Sequence, residues 1–255
     1  MNSINKILLQ SFCLLTILLT LSGCSLLKAS AAPDAGFAPE PKLLTENRDR
    51  APFNGYWSKD PEKLELLIDT YQAIYVAPVD TAHAEKVYNA ASGSEKTKRH
   101  RIEESQELAQ YFRERIKIAL NNQERKELTI LEEEAPNALQ LKVALVGVVP
   151  TNPGVNAVGT IAGFFVPGGG LISFLVEGSV AMEGFVTDGP NQYTLHQQFK
   201  DREGKKKSPF SLKDYQKYAH IRVAIDDWSE QIAELLTTSE DHTVKDSLPV
   251  TLQAF

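Results

Sequence analysis

The residues of this chain able to do chemistry are two cysteines, five histidines and a few adjacent carboxylates, and spacing decides what they can do. The histidines, His83, His100, His196, His220 and His242, are scattered. None forms an H-x-x-x-H or H-E-x-x-H pair, so the spacing that presents two imidazoles from one helix face to a metal is missing. No G-x-S-x-G elbow and no S-x-x-K motif supplies an activated serine. Asp226 and Asp227 are adjacent, and helical neighbours point about 100 degrees apart, so one carboxylate faces the core edge and the other solvent. Glu132, Glu133 and Glu134 read as an exposed strand end or turn. Gly168, Gly169 and Gly170 are not a phosphate loop, because no Lys-Ser or Lys-Thr pair follows them. The pattern predicts no catalytic residue, no metal and no cofactor.

Cys24 is different. A short leading segment carries one positive charge, Lys6, and an apolar stretch follows over residues 7–21. That stretch is short for a permanent membrane helix, which needs about 20 apolar residues, and it fits a secretory signal. It ends in Leu21-Ser22-Gly23-Cys24, which resembles the lipobox of bacterial lipoproteins. The resemblance implies cleavage between Gly23 and Cys24, a diacylglycerol on the Cys24 sulfur and an acylated new amino terminus. Small Ser22 and Gly23 suit a protease groove, and a thiol is the side chain there nucleophilic enough to take the lipid. Several acyl chains, at about 0.8 kcal/mol per buried CH₂, bind a membrane far more firmly than one. Ser25 follows where an aspartate would retain such a protein in the inner membrane, so the periplasmic face of an outer membrane is the expected address.

Composition narrows the partners. Removing residues 1–23 leaves 232 residues, enough for one good-sized core or two small ones. The formal charge of the whole chain is −6, and the removed segment is basic, so the mature chain is more acidic still. That balance excludes a nucleic-acid partner, which needs a basic face. Cys13 leaves with the signal and Cys24 takes lipid, so thiol catalysis, thiolate metal sites and disulfides are not expected.

The elements that would position any site follow from periodicity. Residues 24–54, rich in Ala, Pro and charge, read as a lipidated, flexible tether. Phe53, Tyr56 and Trp57 then read as an aromatic patch on the edge of a domain over residues 55–238. Strands are expected at 71–79, 128–133 and 138–149, and a hairpin at 177–188 and 191–201, turning at Asp188-Gly189-Pro190-Asn191. The charged run 85–101 reads as a loop with partial helix. An amphipathic helix starts at Ser105, with Leu108, Phe112, Ile116 and Leu120 on one stripe. A second spans 212–236, with Ile221, Ile225, Trp228 and Ile232 recurring every three or four residues. Lys205, Lys206 and Lys207 read as a solvated loop, with anionic head groups or glycan phosphates as the alternative. Residues 239–255 read as a loosely held tail. The order predicts an α/β (α+β sandwich) fold: a mixed, mainly antiparallel sheet with two long helices packed on one face.

Residues 143–176 carry no charge at all. They are long enough to span a bilayer, yet Pro150, Pro153, Pro167 and Gly168-Gly169-Gly170 interrupt any helix. Three readings compete: a short helix on the core, an apolar flap for a lipid, hydrophobic ligand or protein, and a membrane-inserted hairpin of an oligomeric pore. Phe164, Phe165, Leu171, Ile172 and Phe174 are the expected partner or membrane contacts.

The run V-V-P-T-N-P-G-V-N, then V-P-G-G-G, G-S-V-A-M-E-G-F-V-T-D and D-D-W resembles a bacterial lipoprotein family described as a domain of unknown function, number thirty-three thirteen. The resemblance covers residues 43–236 and implies the lipid anchor, while lending no activity or ligand. The element order is also similar to periplasmic α/β domains of lipoproteins that form secretion pores or activate cell-wall synthases, an analogy of fold alone. The expectation is therefore a non-enzymatic, membrane-anchored lipoprotein whose periplasmic domain binds a protein or envelope component. The alternative is a subunit of an oligomeric envelope assembly or pore, with residues 153–176 in the membrane.

Overall fold

A computed structural model describes residues 34–60, 70–91, 93–123, 128–149, 179–189, 194–203 and 218–247. Six strands form one sheet: β1 Gly55–Ser58, β2 Ala73–Val76, β3 Thr129–Leu131, β4 Leu139–Val148, β5 Val180–Asp188 and β6 Leu195–Glu203. Their spatial order is β1-β6-β5-β4-β2-β3. The pairs from β1 to β4 are antiparallel, and β2 pairs parallel with both β4 and β3. The sheet is therefore mixed and mainly antiparallel, as the element order requires. The parallel pairs form because the chain crosses over through helices between β2 and its neighbours.

Among the described residues three α-helices accompany it: α1 Ala82–Ala90, α2 Glu95–Asn121 and α3 Ala219–Thr237. The stripes of α2 and α3 pack on one sheet face. Leu108, Phe112, Ile116, Ile225, Trp228 and Ile232 join Leu139, Leu141, Val143, Met182 and Phe199 in one buried cluster. Trp228 is fully enclosed, its ring 6.0 Å from that of Phe112. Its Nε1 donates to Asp201 Oδ2 at 3.0 Å. An aromatic of this size removes roughly 200 Å² from water, which at about 25 cal/mol per Å² contributes several kcal/mol. Gly184 has to be glycine here, since a Cβ would stand 2.4 Å from the Phe199 ring.

Several expectations need correction. The charged run 85–101 holds more helix than expected: α1 runs through it to Ala90, and α2 begins at Glu95, ten residues before Ser105. Ser94 caps α2, its Oγ accepting from Thr97 N at 3.2 Å. The apolar period is missing there because no residue of α2 before Ser105 is buried. The segment read as tether is docked from residue 34 onward, with Ala38, Arg50, Ala51 and Phe53 buried. Phe53 and Tyr56 are core residues, not an edge patch, and β1 adds an edge strand. Arg50 explains the docking. Its guanidinium donates to the carbonyls of Leu235, Thr238 and His242 at 2.7, 3.1 and 2.6 Å, closing the C-terminus of α3. The tail is held at its start too, where Val244 is buried and its N–H donates to Arg50 O at 3.0 Å. Residues 248–255 lie outside the described residues.

Candidate functional site

The face of the sheet away from α2 and α3 carries what periodicity does not reveal. Along β5, Ala181, Glu183, Phe185 and Thr187 alternate outward. Glu183 would be a costly residue to bury alone, yet it is only 2% exposed. Its partners come from a strap at residues 34–43, about 148 positions earlier in sequence. Ala35 N–H donates to Oε1 at 2.5 Å, and those of Phe37 and Ala38 donate to Oε2 at 2.8 and 2.9 Å. Three amides on one carboxylate replace the water it gives up.

Side chains extend the grip. Gln198 is fully buried, accepts from Glu40 N–H at 3.1 Å and donates to Glu40 O at 2.6 Å. Lys200 pairs with Asp34, and Phe37 lies 5.3 Å from Phe185, ring to ring. Ala35 and Phe37 also pack on a small apolar cluster of Ala144, Val146, Val149 and Ala181. His83, in the first turn of α1, is half-buried beside this strap. Desolvation holds its pKa below the ordinary value, against the opposing pull of Glu183, the Ala35 backbone and Asp80, and with Lys86 reinforcing the drop.

These contacts sit toward one end of the sheet. Val148 of β4 pairs with Val180 of β5, which pairs with Glu203 of β6, so one strand ends, the next begins and the third ends at the same level. Val149 N–H donates to Ser179 O at 2.8 Å. The uncharged segment therefore leaves and re-enters the sheet at adjoining residues. Tyr88 of α1 donates its hydroxyl to Val148 O at 2.7 Å. Burial pushes that hydroxyl well above the ordinary tyrosine range, so it stays protonated. Lys98 Nζ donates to Asn89 O at 3.0 Å, bringing the start of α2 against the end of α1. Tyr218, where the description resumes after Glu203, donates to Glu104 Oε2 at 2.5 Å. The strap, the roots of the uncharged segment and the segment bearing Lys205, Lys206 and Lys207 thus all enter or leave at this end.

The residues expected to act from sequence fall elsewhere. Gly23 and Cys24, and the contact residues Phe164, Phe165, Leu171, Ile172 and Phe174, lie outside the described residues. Asp226 accepts from Tyr111 Oη at 2.7 Å and faces Arg115 Nε at 2.7 Å, an α2–α3 tie. His100 and His242 each face a glutamate, Glu104 at 3.2 Å and Glu234 at 2.5 Å. Burial lowers the pKa of His196, which stands edge-on to Tyr71. Among the described residues no three His, Cys, Asp or Glu side chains gather as a metal would require. No described helix is long and apolar enough to cross a membrane. Sequence reasoning missed Glu183 and the strap. The available signal was the carboxylate of Glu183 in the middle of the otherwise small and apolar run from Val180 to Val186.

A family model described as "Protein of unknown function (DUF3313)" matches residues 36–232. The match begins inside the strap and ends in the last turns of α3. No curated protein and no solved structure matches the chain.

Proposed function

We propose that this chain, which belongs to the DUF3313 family, is a membrane-anchored bacterial lipoprotein acylated at Cys24. Its domain, on this reading, is a non-catalytic periplasmic module that binds a protein or other envelope component. The observation that carries the reading is the convergence at one end of the sheet. The strap that continues toward Cys24 starts there, and the uncharged segment is rooted there through Val149 and Ser179. An anchor at Cys24 would turn that end toward the bilayer. With the strap docked, only residues 24–33 are left between the lipid and the domain, and at about 3.5 Å per residue they span at most roughly 35 Å. A tether over all of residues 24–54 would reach about three times as far. An acyl group at Cys24 would therefore hold the domain near the membrane, and the uncharged segment that bears the expected contacts Phe164, Phe165, Leu171, Ile172 and Phe174 is rooted at the same end through Val149 and Ser179. Ser25 favours the outer membrane.

The test is labelling of cells with a tagged fatty acid, followed by fractionation. Wild type should take the label and sediment with membranes, and Cys24→Ala should lose both. An unlabelled wild-type chain, or a Cys24→Ala chain still resisting extraction in alkaline buffer, would sink the anchor. The rival, an oligomeric assembly with residues 153–176 in the membrane, draws on the same convergence. Detergent-dependent rings formed by the acyl-free chain would favour it.

A further inference from the structure

The first two turns of α2 carry Lys96, Lys98, Arg99 and Arg101 against one carboxylate, Glu95, in a chain whose overall charge is −6. Cations at a helix N-terminus oppose the macrodipole, so this placement does not serve the helix. Nor is the cluster neutralised internally. Lys98 is taken by Glu95 at 3.1 Å and by Asn89 O, and Arg101 has contacts of its own. Lys96 and Arg99 are exposed, with no ion-pair or hydrogen-bond partner among the described residues. His100, the remaining titratable group of these turns, faces Glu103 and Glu104.

The position of the cluster narrows its use. The first turn of α1 lies beside the strap through His83, and its last turn meets Lys98 through Asn89. Nine helical residues span about 13 Å, so the cations stand within that order of distance from where the strap begins. A run of three consecutive carboxylates lies away from it. Glu132, Glu133 and Glu134 are exposed just past the end of β3, which lies level with Gln140 at the far end of β4 from Val148. Such a charge distribution turns its positive end toward a negative surface.

We propose that Lys96 and Arg99, with Lys98 and Arg101 beside them, form a contact surface for an anionic lipid bilayer. The direction of approach rests on the acyl anchor proposed above, whereas the charge complementarity does not. Phosphate-bearing head groups accept the ammonium and guanidinium donors, and the anchor would keep the two within reach. The surface orients the domain, fixing which side remains free for a protein partner.

The test uses the acyl-free chain from Ser25 onward, which keeps every described residue. Sedimentation with vesicles of phosphatidylcholine alone is compared with phosphatidylcholine containing phosphatidylglycerol. Binding should require phosphatidylglycerol and weaken as salt is added. Each interfacial cation is worth a factor of about five in partitioning, so Lys96→Ala with Arg99→Ala should cost roughly 25-fold, and reversal to glutamate more. The circular dichroism of these variants should not change, because neither side chain has a described partner. Equal binding to both vesicle types, or full binding by the folded double variant, would overturn the surface. So would a cross-link from position 99 to an acidic protein by a chain that ignores the vesicles. Acylation of Cys24 is read separately by the fatty-acid label, so the anchor and the surface can fail independently.

Discussion

The two faces of the sheet are closed by different means. One is covered by α2 and α3, whose side chains interdigitate with those of β4, β5 and β6 over a large apolar area. The other is crossed by residues 34–43, held by three backbone amides on Glu183, one glutamine and a small apolar cluster. Apolar burial is spread over many atoms, so the helix face is lost only when the whole domain unfolds. Directional bonds concentrated on one carboxylate can be lost at once. The difference predicts a global core on one side and a separable local unit on the other.

The largest effect should come from the helix face. Trp228→Ala removes the ring packed on Phe112 and leaves buried Asp201 without its indole donor. A loss of about 3–5 kcal/mol is expected in chemical denaturation, with a lower midpoint and an unchanged slope. Hydrogen exchange should accelerate across α2 and α3 together, because the opening is global, while the strap amides, which exchange through their own opening, should change little. Faster exchange confined to α3 would show that the helix face is not one cooperative unit.

Glu183→Gln should behave differently. A neutral amide keeps the shape of the side chain but offers one acceptor, and turns a donor toward the strap N–H groups. The expected global loss is smaller, about 1–3 kcal/mol, since hydrogen bonds to a charged group are worth about that much. Locally, protection of the Ala35, Phe37 and Ala38 amides should fall by on the order of 100-fold, while Leu108 and Ile232 change only with the global term. Protease should then cut within residues 34–43 without unfolding the domain. Wild-type protection at these amides would mean that the apolar cluster, and not the carboxylate, holds the strap.

The same contrast explains what was legible in the sequence. The helix face announces itself because each helix repeats its stripe locally: Leu108, Phe112 and Ile116, then Ile225, Trp228 and Ile232. Alternation in β4 and the turn at Asp188 gave the central antiparallel strands in the same way. The strap has no local signal, since its bonds join residues 148 positions apart and use main-chain amides that every residue owns. Proline and alanine there resemble a linker, and only the buried partner makes them structure. Arg50 is hidden for the same reason, because its acceptors are carbonyls at the far end of α3. The start of α2 shows charge without period because none of its residues before Ser105 is buried. Cys24 stands at the other extreme, readable entirely from its local motif and outside the described residues.

The smallest effect sharpens the comparison through pH. In the unfolded chain His83 protonates near its ordinary value of about 6.5. In the folded chain desolvation beside the strap lowers that value, and Glu183, the Ala35 backbone and Asp80 only partly offset it. Between the two values the unfolded chain binds more protons, so stability falls as pH drops below about 6.5. His83→Gln removes this term and should flatten the decline between pH 7 and 5. His196 shifts in the same direction for the same reason, and His196→Gln should also flatten the global curve. It stands near the hairpin turn, its ring beside Tyr71 and its charged neighbours Asp188, Lys59 and Asp60 outside the strap, so the two variants separate by site. In His83→Gln the amides of Ala35, Phe37 and Ala38 should keep their protection as pH falls, whereas in His196→Gln they should lose it as wild type does. If both variants treat the strap alike, the strap opens only with the whole domain, and the two faces are one unit after all.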